Sequence, residues 1–185
     1  MEMQYKEGKV KQPERLLDID GEYDIIVTGG GIAGVGAAIA SAESGCKTLL
    51  IEKETALGGL ATLGLVNIPL DHLSSIGKQM FEEMEKVNAL RRRNSDPEKH
   101  KLVLDRMVLK TGCGILFDTY VVDSIMGKNR IVGVVVESKS GRKAILAKRV
   151  IDCSGDADVA YYAGCDYKIG RASDGLTQAC STEFR

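Results

Sequence analysis

Gly29-Gly30-Gly31-Ile32-Ala33-Gly34 stands between an apolar run, Asp24-Ile25-Ile26-Val27, and an alanine-rich stretch from Val35 to Ala42. Glycines this dense suit neither a strand interior nor a helix interior, so they mark the turn between the two. Thr48-Leu49-Leu50-Ile51 follows as a second apolar strand and ends in an acid, Glu52. A bare G-x-G-x-x-G says little. The same six residues opening a helix inside a strand–helix–strand unit, with a carboxylate roughly 20 residues on, form a dinucleotide fingerprint. Gly29 permits the tight turn, Gly31 lets the backbone approach a pyrophosphate, and Gly34 lets helix and strand pack closely. The unpaired N–H groups at the helix start, around Ile32 and Ala33, face the negative charge. Glu52 accepts hydrogen bonds from a ribose diol.

At 185 residues the chain suits one domain, or one domain and a piece of another. A formal net charge of −1 gives no electrostatic case for nucleic acid or an anionic membrane. Arg91-Arg92-Arg93 reads as a solvated loop between helices, its field diluted by Asp96 and Glu98. The N-terminus is charged and lacks the apolar segment of a secretory signal. Ile25 to Ala42 is uncharged and long enough to resemble a membrane span. Its glycines at 29, 30, 31, 34 and 36 assign it instead to strand, turn and helix, so no span is expected. The 5 cysteines include no C-x-x-C, which argues against a disulfide framework and against zinc. A reducing, cytoplasmic compartment is the expectation.

Residues 1–22 are polar and mixed in charge, and are expected to form a leader ahead of a domain covering 23–185. Lys53 to His72 reads as a long loop rich in small residues, a type usually tied to function. Ile76, Met80, Met84 and Val87 predict a helix over about 74–89. Leu102, Val103, Met107 and Val108 predict another over 97–110, with Asp96 as cap and Pro97 in the first turn. Ile115-Leu116-Phe117 reads as a buried strand. Three strands, 120–126, 131–137 and 144–147, then read as an antiparallel meander around turns at Gly127-Lys128-Asn129 and Ser140-Gly141. Arg149-Val150-Ile151-Asp152 reads as a further buried strand running into Cys153-Ser154-Gly155-Asp156.

This order differs from a simple alternating NAD dehydrogenase domain. It resembles the FAD-binding domain of flavoproteins with a glutathione-reductase-like arrangement, and within that group the FAD-dependent oxidoreductase family. The resemblance is carried by Tyr23 to Gly34, by Leu50 to Lys53 with Leu57 to Thr62, by Ser140 to Asp152, and by Ser154 to Ala160 with Ala163-Gly164. It implies an α/β, Rossmann-like FAD/NAD(P)-binding domain: a parallel sheet with helices and an antiparallel three-stranded meander. It implies FAD as cofactor, with Gly29, Gly31 and Gly34 at the pyrophosphate, Glu52 on the adenosine ribose and Lys53 beside the adenine end. Gly58, Gly59, Leu60, Ala61 and Thr62 would pass under the pyrophosphate, ribityl chain and flavin edge. Val121 would offer its backbone to the adenine, and Ser154, Gly155 and Asp156 would close on the phosphates. Small residues serve all of these places, because a bulky side chain would hold the backbone away from phosphate.

The resemblance also implies a substrate-facing cap beyond residue 185, so the chain is expected to be the N-terminal part of a larger enzyme. A face left open there would favour association between copies. Read from the residues alone, a different class stays open: a dinucleotide-binding module without catalysis of its own. NAD is the weaker choice of nucleotide, since Glu52 suits either ribose while the meander and Ser154-Gly155-Asp156 favour FAD. No cysteine pair follows Gly58-Gly59, which sets disulfide-reductase chemistry aside. Cys46, Cys113, Cys153, Cys165 and Cys180 are expected to be structural. His72 is expected at the surface near the flavin-proximal loop, and His100 on a solvated helix face. No general base is named, and the small-molecule substrate and its electron partner stay open.

Overall fold

The computed structural model describes residues 5–6, 8–10, 14–66, 75–92 and 94–180. A short hairpin, β1 (Tyr5–Lys6) with β2 (Lys9–Val10), precedes the main sheet. The nucleotide-type unit is β3 (Ile19–Thr28), α1 (Ile32–Glu43) and β4 (Thr48–Ile51). Next come α2 (Ser75–Lys86), a small ribbon of β5 (Leu90–Arg91) with β6 (Asn94–Ser95), α3 (Pro97–Lys110) and β7 (Gly114–Leu116). The last elements are β8 (Tyr120–Gly127), β9 (Arg130–Ser138), β10 (Gly141–Asp152) and the short α4 (Asp158–Tyr162).

The main sheet has the order β7-β4-β3-β10-β9-β8. Its first four strands are parallel and its last two pairings antiparallel. Every residue of β4 is buried, as befits a parallel strand covered on both faces. Alternation sorts the two cores. Val27 and Leu50 point to the side where α1, α2 and α3 contribute Val35, Ile39, Met84 and Leu104. Ile26, Leu49 and Ile51 belong to the other cluster, with Val134, Val136 and Ile145 from the meander and Val159 from α4. Each fully buried aliphatic side chain contributes about 1.5–3 kcal/mol.

Three boundaries differ from the sequence reading. The strand at the head of the fold starts at Ile19, so residues 19–22 lie within the sheet, with Ile19 opposite Ala144 and Glu22 opposite Leu146. The third meander strand and the returning strand are one element, β10. It pairs antiparallel with β9 from Gly141 to Leu146 and parallel with β3 from Ala144 to Asp152, so its middle is paired on both sides, with a register irregularity toward β3 between Ala144 and Leu146. Helix α2 stops at Lys86 because Asn88 turns left-handed (φ 51°) and the Ala89 N–H closes on the Met84 carbonyl at 2.8 Å. Helix α3 has its expected bounds, and the Asp96 carboxylate accepts the Glu98 and Lys99 amides at 3.0 and 3.3 Å. Arg91 and Arg92 lie exposed at the small ribbon's turn, while Arg93 and His72 lie outside the described residues.

Candidate functional site

The register of the central strands brings three loops to one place. Thr28 stands opposite both Ile51 and Asp152, so the segments leaving β3, β4 and β10 emerge side by side at the carboxyl edge of the sheet. They are tied together by the Gly29 amide on the Ile51 carbonyl and the Cys153 amide on the Thr28 carbonyl, both at 2.8 Å.

The glycines of the first loop divide by role. A Cβ on Gly34 would sit 1.8 Å from the Gly29 carbonyl oxygen, and one on Gly29 would sit 2.3 Å from the Cys153 oxygen. These two glycines close the fold. A Cβ on Gly31 would meet nothing within 4 Å, so this residue faces open space at the start of α1. The first helical hydrogen bond is Val35 N–H to Gly31 O at 2.9 Å, which leaves the amides of Ile32, Ala33 and Gly34 without a helical acceptor. Gly30, for which the sequence reading gave no reason, abuts Glu52 and Leu57.

Glu52 is 6% exposed and held from two sides. One carboxylate oxygen accepts the Gly30 amide, and the other accepts the Glu54 amide at 2.8 Å. Two oxygens offer about four acceptor positions, so two remain for a ligand. The Glu52 main chain bonds Leu116 and Thr119 at 2.9 and 3.2 Å, which binds the β8 entrance to this acid. Val121 lies on β8, an edge strand of the sheet.

The loop after β4 folds back onto the first. The Gly58 amide reaches the Gly30 carbonyl at 2.8 Å, and Gly59 packs on Gly31. Gly58 has φ 103°, and any side chain there would strike Thr62. The Thr62 hydroxyl donates to the Leu57 carbonyl at 2.6 Å from a fully buried position, so it clamps the loop from behind. At the third loop Asp152 accepts the Ser154 amide and hydroxyl at 3.1 and 2.7 Å and the Ala160 amide at 3.0 Å. The Ser154 hydroxyl in turn accepts the Asp158 amide at 2.9 Å, which fixes the turn into α4. Burial pushes the Asp152 carboxyl up, but the bonds from Ser154, Ala160 and Val159 outweigh it and hold it below the usual carboxylate range. A Cβ on Gly155 would meet nothing within 4 Å.

These loops line a cavity of about 1200 Å³. Every site residue read from the sequence lines it except Gly34 and Thr62, which shape its floor from behind. Lys53 and Leu60 are exposed along its rim. Sequence reading missed Glu54, Thr119 and Tyr120 near Glu52, and a wall formed by Leu63, Val66, Gly77, Met80, Phe81 and His100. His100 is a correction. It is 1% exposed rather than solvated, and both ring nitrogens lack a hydrogen-bond partner. Burial lowers its pKa below the ordinary 6.5. The signal was present: Pro97, His100, Leu104 and Val108 recur at helical spacing along the buried face of α3.

The thiols also sort by environment. Burial pushes Cys113 up to about 11 and raises Cys153, where the Asp152 charge adds to the effect. Cys165 and Cys180 are exposed rather than packed into the fold. Among the described residues no His, Cys, Asp and Glu cluster suits a metal ion, and no helix is long and apolar enough to cross a membrane.

Comparison with known proteins gives a consistent result. A family model described as FAD dependent oxidoreductase matches residues 24–185. A thiamine thiazole synthase from Methanococcus vannielii is 30% identical over 156 residues, covering 75% of this chain and 58% of that protein. One from Saccharolobus islandicus is 30% identical over 158 residues, covering 75% and 57%. The crystal structure of Thermovibrio ammonificans THI4 superposes with a TM-score of 0.59 at 20% identity, over 76% of this chain and 61% of that one. The chain thus spans a little more than half the length of these curated relatives.

Proposed function

This chain belongs to the FAD dependent oxidoreductase family, and we propose that its cavity holds FAD for the oxidation or reduction of a small organic substrate. In this reading the backbone at Gly31, Ile32 and Ala33, opposite Gly59, takes the pyrophosphate, and Ser154, Gly155 and Asp156 close on it from β10. Glu52 takes the adenosine ribose with its two unused acceptor positions. Lys53 and the Val121 backbone serve the adenine, and Leu60 and Ala61 lie toward the ribityl and flavin end. Bound flavin supplies the electron transfer. The protein's part is to orient it, exclude water and supply hydrogen bonds.

One observation carries the reading. Gly155 has a φ of 92°, which by itself calls for glycine, but Gly31 presents bare backbone to the same cavity with a φ of −64° and no contact in the fold that a side chain would violate. Glycine there is unexplained by packing and explained by the close approach of an anionic ligand to amide groups. The exposed, unpaired Cys165 and Cys180 suit a reducing compartment, in keeping with a cytoplasmic protein.

The test is an absorbance spectrum of the purified chain after incubation with FAD and removal of free cofactor. Retained flavin bands at about one cofactor per chain are the expected result. A chain that stays colourless, yet retains NAD under the same treatment, would transfer the site to a nicotinamide nucleotide.

A further inference from the structure

Among the described residues that line the cavity, His100 is a buried polar side chain that the fold itself leaves unused. His100 sits in the first turns of α3, closed to water, with neither ring nitrogen paired. Polar groups buried this deeply are nearly always hydrogen-bonded, so an unpaired imidazole in a cavity wall points to a partner outside the described fold. Burial holds the ring in its neutral form, which offers one donor and one acceptor.

Connectivity tells which end of the cavity the ring serves. Glu52 is tied through Thr119 to the β8 entrance on one side and through Gly30 to the glycine loop on the other. Gly58 then rests on Gly30, and a Cβ on Gly58 would come within 2.9 Å of Leu104, one helical turn beyond His100. The sequence of contacts runs from the ribose acid, through the glycines, to the wall between α2 and α3. That wall carries Leu63, Val66, Met80 and Phe81, and the buried Ser95 also lines the cavity. It suits a planar ring with polar edges. The cavity also exceeds the roughly 300–1,000 Å³ of ordinary small-molecule sites, as a dinucleotide site would.

Building on the FAD reading, we infer that His100 is a cofactor-positioning residue whose imidazole hydrogen-bonds the ribityl–flavin half of the dinucleotide. Small side-chain shifts of the kind common on binding would open the ring to the ligand.

The chain has 2 histidines, so imidazole nitrogen NMR of the full chain gives two pairs of ring-nitrogen signals, assigned with His100→Gln. FAD is expected to shift the His100 nitrogens, and ADP, which lacks the flavin half, to leave them in place. His100→Leu is expected to weaken FAD about tenfold with ADP affinity unchanged, and His100→Gln to recover most of the loss. Thermal unfolding of His100→Leu should match or exceed the parent, since a buried unpaired group is replaced by an apolar one. Two outcomes overturn the inference while sparing the FAD site: His100 signals indifferent to FAD with His100→Leu binding it normally, or signals that ADP shifts as FAD does. A parent that binds no FAD would overturn the cofactor reading, and this inference with it.

Discussion

Glu52 and His100 represent opposite ways of burying a polar side chain. Glu52 satisfies two backbone amides and keeps two acceptor positions free, so it stabilises its loops whether or not a ligand is present. His100 satisfies nothing in the fold, at a cost of about 1–3 kcal/mol for an unpaired buried group. This asymmetry has a pH signature. The folded-state pKa of His100 lies below its unfolded value, so the unfolded chain takes up a proton that the folded chain refuses. Stability from this residue is complete above the unfolded value near 6.5 and declines as pH falls below it. The urea midpoint of the parent is therefore expected to drop between about pH 7 and about pH 5, and His100→Leu to show a smaller drop. Equal drops in both proteins would show that the folded imidazole takes up its proton as readily as the unfolded one. Residue-scale chemistry was partly legible beforehand. Glu52 announced itself by its place at the end of an apolar strand. His100 was masked by the charged residues Glu98, Lys99 and Lys101 around it, because local composition outweighed the helical period in the reading.

At the scale of elements, the turn from β3 into α1 decides both stability and site geometry. Gly34 and Gly29 sit where the helix touches the strand end and the β10 exit, and nothing there has room to give, since the contacts are to backbone. Gly34→Ala is expected to lower stability by about 1–3 kcal/mol or more, read as a lower thermal midpoint before any ligand is added. An unchanged midpoint would mean that α1 shifts freely and that the close packing is dispensable. The bounds of α3, and the order of strand, glycine turn, helix and strand in β3, α1 and β4, were readable because caps, periodicity and glycine placement agree there, though the start of β3 at Ile19 was not. The early end of α2 was not, because Val87 continues the apolar spacing while Asn88 breaks the helix through its backbone conformation. Nor was the unity of β10: the reading divides it at Lys148 between 144–147 and 149–152, yet Lys148 is exposed on a continuous strand that keeps β3 as its partner past the end of β9.

For the molecule as a whole, the site exists only because three separated segments meet. Parallel register aligns the exits of β3, β4 and β10, and the sequence motifs at those exits were each visible in isolation. The wall between α2 and α3 carries no motif, so only the fold could assign it to the same cavity. The central claim is that bare glycine backbone at this junction serves a bound flavin dinucleotide rather than the fold. Gly31→Ala tests it most directly. The added methyl meets no atom of the protein, and the residue's φ of −64° is open to alanine. Flavin fluorescence titration of parent and variant, alongside their thermal unfolding, is the measurement to make. We predict matching unfolding midpoints and FAD affinity at least about tenfold weaker in the variant, equivalent to about 1.4 kcal/mol. A variant that folds like the parent and binds FAD equally well would contradict the account.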